Sequence, residues 1–182
     1  MYGPDRALDL LRRVLALVPA DEAEATLLVE DQALTRFANN AIHQNVAQRN
    51  ARLAVRAVVE GGVGMALTNR LDPEGQRWVA DQAASIARLQ PPDPDFPGLP
   101  PGGTVRQADT YFETTAAMSP VQRAEAVRLI VEAASRQGFV ATGAYSTEVE
   151  ELAIANTAGV AVYAPLTLAA LRTVIDVNPP QG

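Results

Sequence analysis

The chain has 182 residues, enough for one ordinary domain with a hydrophobic core. Its net charge of −6 and sequence pI near 4.8 disfavour binding to nucleic acid, because an acidic surface repels phosphate backbones. The absence of cysteine rules out disulfides and thiolate metal ligands within these residues, and no apolar run approaches the roughly 20 residues that cross a bilayer, so we expect a soluble, cytoplasmic protein.

The first half of the chain predicts one helix followed by strands. Apolar residues recur at three- and four-residue steps from Asp5 to Val18, which is typical of an amphipathic helix, and Pro19 ends it. A short strand is expected over 24–30. Two or three further strands follow from Leu34 to Asn69, where apolar and polar residues alternate. Glu60-Gly61-Gly62 predicts the turn of a hairpin.

The second half predicts two more helices and further strands. Asp72 and Pro73 suit the cap and first position of a helix that runs to Leu89, and Ser119 and Pro120 start another that ends at Gly138. The residues predicted to be buried on these two helices are Val79, Ala83, Ile86, Ala87, Val121, Ala124, Val127, Ile130, Val131 and Ala134. The proline-rich stretch 91–103 is expected to be an extended surface loop. Further strands are predicted over 140–149, 151–156 and 160–177, with a turn at 156–159.

These elements predict an α+β fold in which about three helices pack on one face of an antiparallel meander sheet. An arrangement of a helix followed by a meander occurs twice along the chain. The last predicted strand leads into Asn178-Pro-Pro-Gln-Gly182 without a following partner strand. We therefore expect residues 1–182 to be one domain of a longer protein, because an unpaired strand edge invites aggregation.

Three segments resemble motifs of the TldD/PmbA (TldE) family, a family of candidate zinc metallopeptidases also named for modulation of DNA gyrase. Leu34–Asn45 (LTRFANNAIHQN) resembles the early strand pair and is the most specific of the three. Gly61–Asp72 (GGVGMALTNRLD) resembles the next hairpin and helix cap, and Glu151–Val160 (ELAIANTAGV) resembles the motif that closes the domain. They occur in the family's order, and the resemblance identifies the chain as the N-terminal α+β domain of such a protein.

The resemblance implies a longer parent protein, in which a β-rich C-terminal domain that this chain lacks follows. In the TldD type, a His-Glu-x-x-x-His helix holds zinc and the protein cleaves unfolded peptides. The PmbA (TldE) type lacks that motif and assembles with TldD. The expected partners are therefore unfolded peptides and TldD/PmbA-type subunits in a homo- or hetero-oligomer, with no nucleic acid and no membrane.

The residues themselves predict no metal site in this chain. Catalytic zinc uses three protein ligands, and the chain has one histidine, no cysteine and no His-Glu-x-x-x-His string. Zinc is therefore expected only in a TldD-type parent or partner, and this domain is expected to be inactive by itself.

An amide-rich patch is the best binding candidate in the sequence. It comprises Asn39, Asn40, His43 and Gln44, in a strand pattern that Asn45 continues. Such amides commonly shape turns, and His43 between Ile42 and Gln44 is typical of a histidine within a sheet. The alternative is that the patch hydrogen-bonds the backbone of an extended peptide lying along a sheet edge.

Other conspicuous residues favour structural roles. Glu148, Glu150 and Glu151 predict a solvated acidic edge rather than acid–base chemistry. Trp78 is expected to pack its helix on the sheet, although an exposed tryptophan would indicate an interface. The functions left open are a non-catalytic domain that shapes the substrate channel and assembly of a peptidase system, a PmbA-like scaffold or interaction partner, and a gyrase modulator.

Overall fold

A computed structural model describes residues 1–106 and 108–177. In chain order the helices and strands are α1 (Pro4–Leu15), β1 (Glu22–Ala38), β2 (Ala41–Val59), β3 (Gly62–Thr68), α2 (Pro73–Leu89), α3 (Glu113–Ala116), α4 (Pro120–Ser135), β4 (Val140–Asn156) and β5 (Ala161–Asp176). The strands form a five-stranded antiparallel sheet in the order β3-β2-β1-β4-β5, which confirms the predicted α+β class. Asn178–Gly182, predicted to leave the last strand without a partner, lie outside the described residues.

The strands are longer than predicted. β1 runs unbroken through the Asp31-Gln32-Ala33 segment, where a gap between two strands was expected, and β4 runs unbroken through Glu150. Neither segment contains Gly or Pro, so nothing in the backbone chemistry interrupts the ladder. The hairpin turns at Glu60–Gly61 and at 157–159 are confirmed.

The chain divides into two compact units. Unit 1 comprises Met1–Glu30, Asn50–Asp109 and Glu150–Pro165, and unit 2 comprises Asp31–Arg49, Thr110–Val149 and the described residues from Leu166 onward.

Unit 1 has a core of small aliphatic side chains contributed by α1, α2 and the strand segments. Its buried members include Leu10, Leu11, Val14, Ala25, Leu27, Leu53, Val55, Val79, Ala83 and Ala87. The alternation of buried and half-exposed residues along β1 and β2 gives this segment of the sheet one covered face, as predicted. α1 ends at Leu15 rather than Val18, because Pro19 disfavours helical backbone at the residue before it.

The close approach of α2 to β3 depends on glycine. β3 pairs with β2 from Leu53↔Thr68 to Val59↔Gly62. A Cβ atom at Gly64 would lie 2.3 Å from the Ala87 nitrogen and 2.4 Å from the Ala83 carbonyl oxygen. Only glycine therefore lets the helix backbone approach the strand this closely. Glu60 and Gly61 both have positive φ, as the tight hairpin turn requires.

The predicted caps of the helices are confirmed. The Asp72 side chain accepts a hydrogen bond from Gly75 N at 2.8 Å, and Pro73 occupies the first turn of α2. In α4 the Ser119 and Gln122 side chains form a reciprocal capping box. Gly138 follows α4 with a φ of +72°. Sequence chemistry thus determined where these two helices begin, whereas α4 ends at Ser135, three residues before the predicted Gly138.

Three predicted burial assignments are wrong. Val121 is 77% exposed, because α4 turns Arg123 and Val127 toward its sheet instead. On α2, Ile86 is 36% exposed and Trp78 is 51% exposed, while Ala80 and Ala84 occupy the buried stripe. The buried stripe of α2 consists of small residues because the helix lies close to the strands. The larger side chains of Trp78 and Ile86 therefore face solvent.

The proline-rich stretch 91–103 forms no helix or strand, as predicted, yet it is anchored. Leu99 is buried and its N–H donates to Glu22 Oε2 at 2.7 Å. Pro100 O accepts from Asn156 Nδ2 at 2.8 Å. None of the described helices is both long and apolar enough to cross a membrane.

Unit 2 has a smaller core. Phe37, Val127, Ala134 and Ala141 are its buried members, and Ile130, Val131, Phe139 and Tyr145 pack around them. The core joins α4 to the unit 2 segments of β1 and β4. The four-residue helix α3, which precedes α4, was not predicted.

Candidate functional site

The β1–β2 turn consists of Asn39 and Asn40, two residues of the predicted binding patch. Both have positive φ, 49° and 59°, a conformation that asparagine tolerates better than most residues. The Asn40 side chain donates to Phe139 O at 2.8 Å and accepts from Ala141 N at 2.7 Å. These two hydrogen bonds of the Asn40 side chain hold the start of β4 against the β1–β2 turn.

The β2 segment that follows this turn is an open sheet edge. Every residue from Ala41 to Asn50 is exposed. β3 pairs with β2 only from Leu53 onward, and no described strand pairs with the side of Ala41–Arg52 that faces away from β1. The outward backbone N–H and C=O groups of this segment, called the β2 edge below, are therefore available to another extended chain.

His43 and Gln44 lie on the β2 edge. Gln44 Oε1 accepts a long hydrogen bond from Arg36 Nη1 at 3.4 Å, and His43 is exposed. Two apolar side chains, Ile42 at 43% exposure and Val46 at 39%, lie among these polar residues. The edge contains no Pro or Lys, the residues with which proteins commonly protect such strands from pairing.

Polar pairs hold the β2 edge to β1 and assign its side chains to two faces. Gln48 donates to Gln32 at 3.1 Å on the same face as the contact between Gln44 and Arg36. On the other face Thr35 donates to Asn45 Oδ1 at 3.4 Å, and the Arg49 guanidinium lies 3.3 Å from Asp31. The amide patch that looked continuous in the sequence is thus divided between the two faces.

A cavity of about 320 Å³ lies beside the β2 edge. The strand residues that line it include Asp31, Ala33, Ala47, Arg49, Thr147 and Val149, and the α3–α4 region contributes Thr115, Ala116 and Met118. This cavity was not predicted from the sequence, because its lining comes from segments far apart in the chain. Ala33 and Ala47, small residues within strands, were the available signal.

Arg123 supports the wall of this cavity from within unit 2. It is 1% exposed, and its Nη1 donates to Met118 O at 2.9 Å and to Thr147 Oγ1 at 3.2 Å. Its Nε donates to Thr35 Oγ1 at 3.4 Å. No described carboxylate forms an ion pair with it, and burial lowers the pKa of its guanidinium. Arg123 thus acts through neutral hydrogen bonds that connect α4, β1 and β4.

The predicted acidic edge is wrong. β4 lies between β1 and β5 and is not an edge strand, and Glu148 and Glu150 are half-buried on it. Glu151 is 2% exposed and accepts from Tyr2 N, Gly3 N and Tyr163 Oη at 2.6, 2.8 and 2.7 Å. Burial acts to raise the pKa of Glu151, but these hydrogen bonds outweigh it and hold the pKa below its ordinary value. Glu151 is a structural carboxylate that fastens the start of the chain to unit 1.

The donor set of this chain does not fit a catalytic zinc ion. Such a site takes three protein ligands, usually including more than one histidine or cysteine. His43 is the only imidazole in the sequence, and there is no thiol. These residues therefore cannot by themselves form the three-ligand site that catalytic zinc uses.

The fold defines the chain as an α+β domain whose antiparallel sheet leaves the outer side of the β2 edge open to another extended chain. Residues 24–87 match the family model described as PmbA/TldA metallopeptidase domain 1. This segment of the chain is thus similar to the first domain of that family, in agreement with the resemblance of its motifs. Two of the three motifs, Leu34–Asn45 and Gly61–Asp72, lie inside the matched segment. No curated protein matches the chain.

Solved structures share the fold. TldE from Thermococcus kodakarensis is 20% identical, with a TM-score of 0.78 over 92% of this chain and 42% of its own. A candidate modulator of DNA gyrase from Thermotoga maritima is 19% identical, with a TM-score of 0.77 over 90% of this chain and 38% of its own. Another from Bacteroides thetaiotaomicron is 14% identical, with a TM-score of 0.79 over 96% of this chain and 42% of its own. The chain spans about two fifths of the length of these structures.

Proposed function

We propose that this chain is the non-catalytic domain of a TldD/PmbA-type peptidase system and that its β2 edge holds an unfolded peptide in an extended conformation. The observation that carries the proposal is the unpaired outer side of Ala41–Arg52. A peptide added there as a strand gains main-chain hydrogen bonds that are independent of its sequence. Sequence-independent capture suits a system that acts on unfolded chains of varied composition.

Side chains on the edge support this role. Ile42 and Val46 give the peptide apolar contact, while His43 and Gln44 supply exposed polar groups beside its backbone. Asn39 and Asn40 contribute by forming the turn that begins the edge. Hydrolysis itself belongs to a zinc centre in a TldD-type parent or partner subunit, since this chain lacks the ligands.

A PmbA/TldE-like scaffold is the second candidate, and the lack of zinc donors favours it over a catalytic identity for this chain. In that case the domain contributes assembly surfaces, and a TldD-type subunit supplies the reaction. The only support for modulation of DNA gyrase is the names given to two proteins of similar structure. The net charge of −6 argues against direct contact with DNA.

The test is a titration of the chain with a fluorescent unfolded peptide. Val46→Lys places a charge on the apolar part of the edge, and Leu168→Lys is the matched control on β5, where Leu168 is similarly exposed at 53%. We expect Val46→Lys to weaken binding by about tenfold and Leu168→Lys to leave it within about twofold of the wild type. Equal loss in both variants, or no binding by the wild type, contradicts edge pairing.

A further inference from the structure

The cavity beside the β2 edge has a floor of small side chains. Side chains alternate between the faces of a strand, and Thr35 and Thr147 are buried and accept hydrogen bonds from Arg123 of α4. Ala33, two residues before Thr35, shares that face, and so does Val149, two residues after Thr147. Ala47 lies on the same face of β2, since its neighbour Gln48 pairs with Gln32 on the opposite one. The cavity exists because these floor residues are short.

The charges at the cavity are already balanced. Asp31 and Arg49 lie on the cavity face and pair with each other at 3.3 Å. Gln32, Gln48 and Glu148 also border the cavity. Each directly adjoins a cavity-face residue in its strand, so strand alternation directs its side chain to the opposite face. Among the described residues, the charged side chains on the cavity face are therefore Asp31 and Arg49, and their pairing leaves neither to select a cationic or anionic group alone.

We infer that this cavity receives one aromatic side chain of a peptide held on the β2 edge, an inference that rests on the proposed function. A volume of about 320 Å³ accommodates an aromatic ring. The methyl groups of Ala33 and Ala47 provide apolar contact below the ring, and the Met118 thioether provides a sulfur–aromatic contact at the wall. Arg49 at the mouth adds a guanidinium that stacks on aromatic faces.

The distances of a β-sheet allow this contact. A peptide strand paired with β2 lies about 4.8 Å from β2 and about 10 Å from β1, because neighbouring strands are about 4.8 Å apart. An aromatic side chain beside Ala47 spans part of that distance, because it can lie over the short Ala47 side chain in the direction of β1. A larger residue at position 47 would block the path, which makes Ala47 the position that determines specificity.

The experiment uses one strand-forming host peptide with Tyr, Leu, Lys or Ala at a single guest position, titrated into the full chain. We expect the Tyr peptide to bind about tenfold more tightly than the Ala peptide, with Leu and Lys between them or weaker. Ala47→Leu should reduce the Tyr preference to within about twofold and leave the Ala peptide unaffected. Ala41→Leu, at the hairpin end of β2, is the control and should retain the preference.

Met118→Ala provides a second variant, since it removes the wall contact while its backbone carbonyl still accepts from Arg123. It should weaken the Tyr peptide alone. Equal binding of all four peptides, with Val46→Lys still weakening it by about tenfold, overturns the aromatic pocket and leaves edge pairing intact. A preference for Lys, or a Tyr preference that survives Ala47→Leu, also overturns the pocket. Failure of every peptide to bind overturns the proposed function and the pocket together.

Discussion

Asn40 and Ala141 are joined by two hydrogen bonds that link the β1–β2 turn to the start of β4. Asn40 N donates to Ala141 O at 3.2 Å, and Ala141 N donates to Asn40 Oδ1 at 2.7 Å. These residues are about a hundred positions apart in the chain, so the contact fixes tertiary structure rather than a local turn. It also determines where the β2 edge begins.

Asn40→Ala should therefore destabilise the fold. The substitution removes the side-chain bonds to Ala141 N and Phe139 O and places alanine at a φ of +59°. We expect a loss of about 2–3 kcal/mol in the free energy of unfolding, measured by urea titration. Asn39→Gly, which keeps the turn conformation available, should cost less than about 0.5 kcal/mol. Equal losses in the two variants would show that the side-chain bonds contribute nothing.

Arg123 offers a test of a buried cation without a carboxylate partner. Arg123→Ala should lower the free energy of unfolding by about 2–4 kcal/mol, because it leaves a cavity and removes three hydrogen bonds. Arg123→Met should lower the free energy of unfolding by only about 1 kcal/mol. Methionine retains the packing of the arginine stem and removes the penalty for burying a charge. Denaturant unfolding of both variants measures the difference. A larger loss of free energy of unfolding in Arg123→Met than in Arg123→Ala would contradict this account.

Glu151 should make the stability of the fold depend on pH. Its pKa in the folded chain lies below the ordinary 4.5, so the carboxylate stabilises the fold at neutral pH. That contribution is complete above about pH 4.5 and is lost as the pH falls through the folded pKa.

Glu151→Gln should destabilise the fold at pH 7 by about 1–3 kcal/mol, because an amide NH₂ would face the Tyr2 and Gly3 N–H donors. The deficit should shrink as the pH is lowered from 7 to 3, measured by thermal unfolding. A deficit that stays constant across this range would assign the loss to packing instead of charge.

Gly64 should not tolerate a side chain. Gly64→Ala places a Cβ 2.3 Å from the Ala87 backbone nitrogen, and neither backbone can move without separating α2 from β3. We predict a loss of about 3 kcal/mol in urea unfolding. Gly103→Ala, where no atom lies within 4 Å of the added Cβ, is the matched control and should change stability by less than about 0.5 kcal/mol. Similar effects at both positions would refute the close-packing explanation.

Local chemistry made much of the fold predictable. Asp72-Pro73 and Ser119-Pro120 predicted the two helix starts, because capping requires only neighbouring residues. The burial of Glu151 and the exposure of Val121 were not predictable in this way. The first depends on donors near residue 2, about 150 positions away, and the second depends on Arg123 occupying the inner face of α4.

The candidate site was predictable in part. The amide-rich sequence at Asn39–Gln44 indicated either a turn or an exposed strand, and the structure contains a turn followed by an edge. The edge is open because the pairing of β3 with β2 ends at Leu53. This end point depends on tertiary structure and could not be predicted from local sequence. The cavity depends on α3, a four-residue helix too short to give a periodic signal. Peptide binding by Asn39, Asn40, His43 and Gln44 stays a prediction.

Amide hydrogen exchange across β2 tests the central claim most directly. In the free chain, the outward amides of Ala41–Arg52 should exchange rapidly, while those bonded to β1 exchange slowly. A saturating unfolded peptide should slow exchange of the outward amides by about tenfold or more and leave the β5 amides unchanged. Binding of the peptide without added protection in Ala41–Arg52, or with protection confined to β5, would contradict the account.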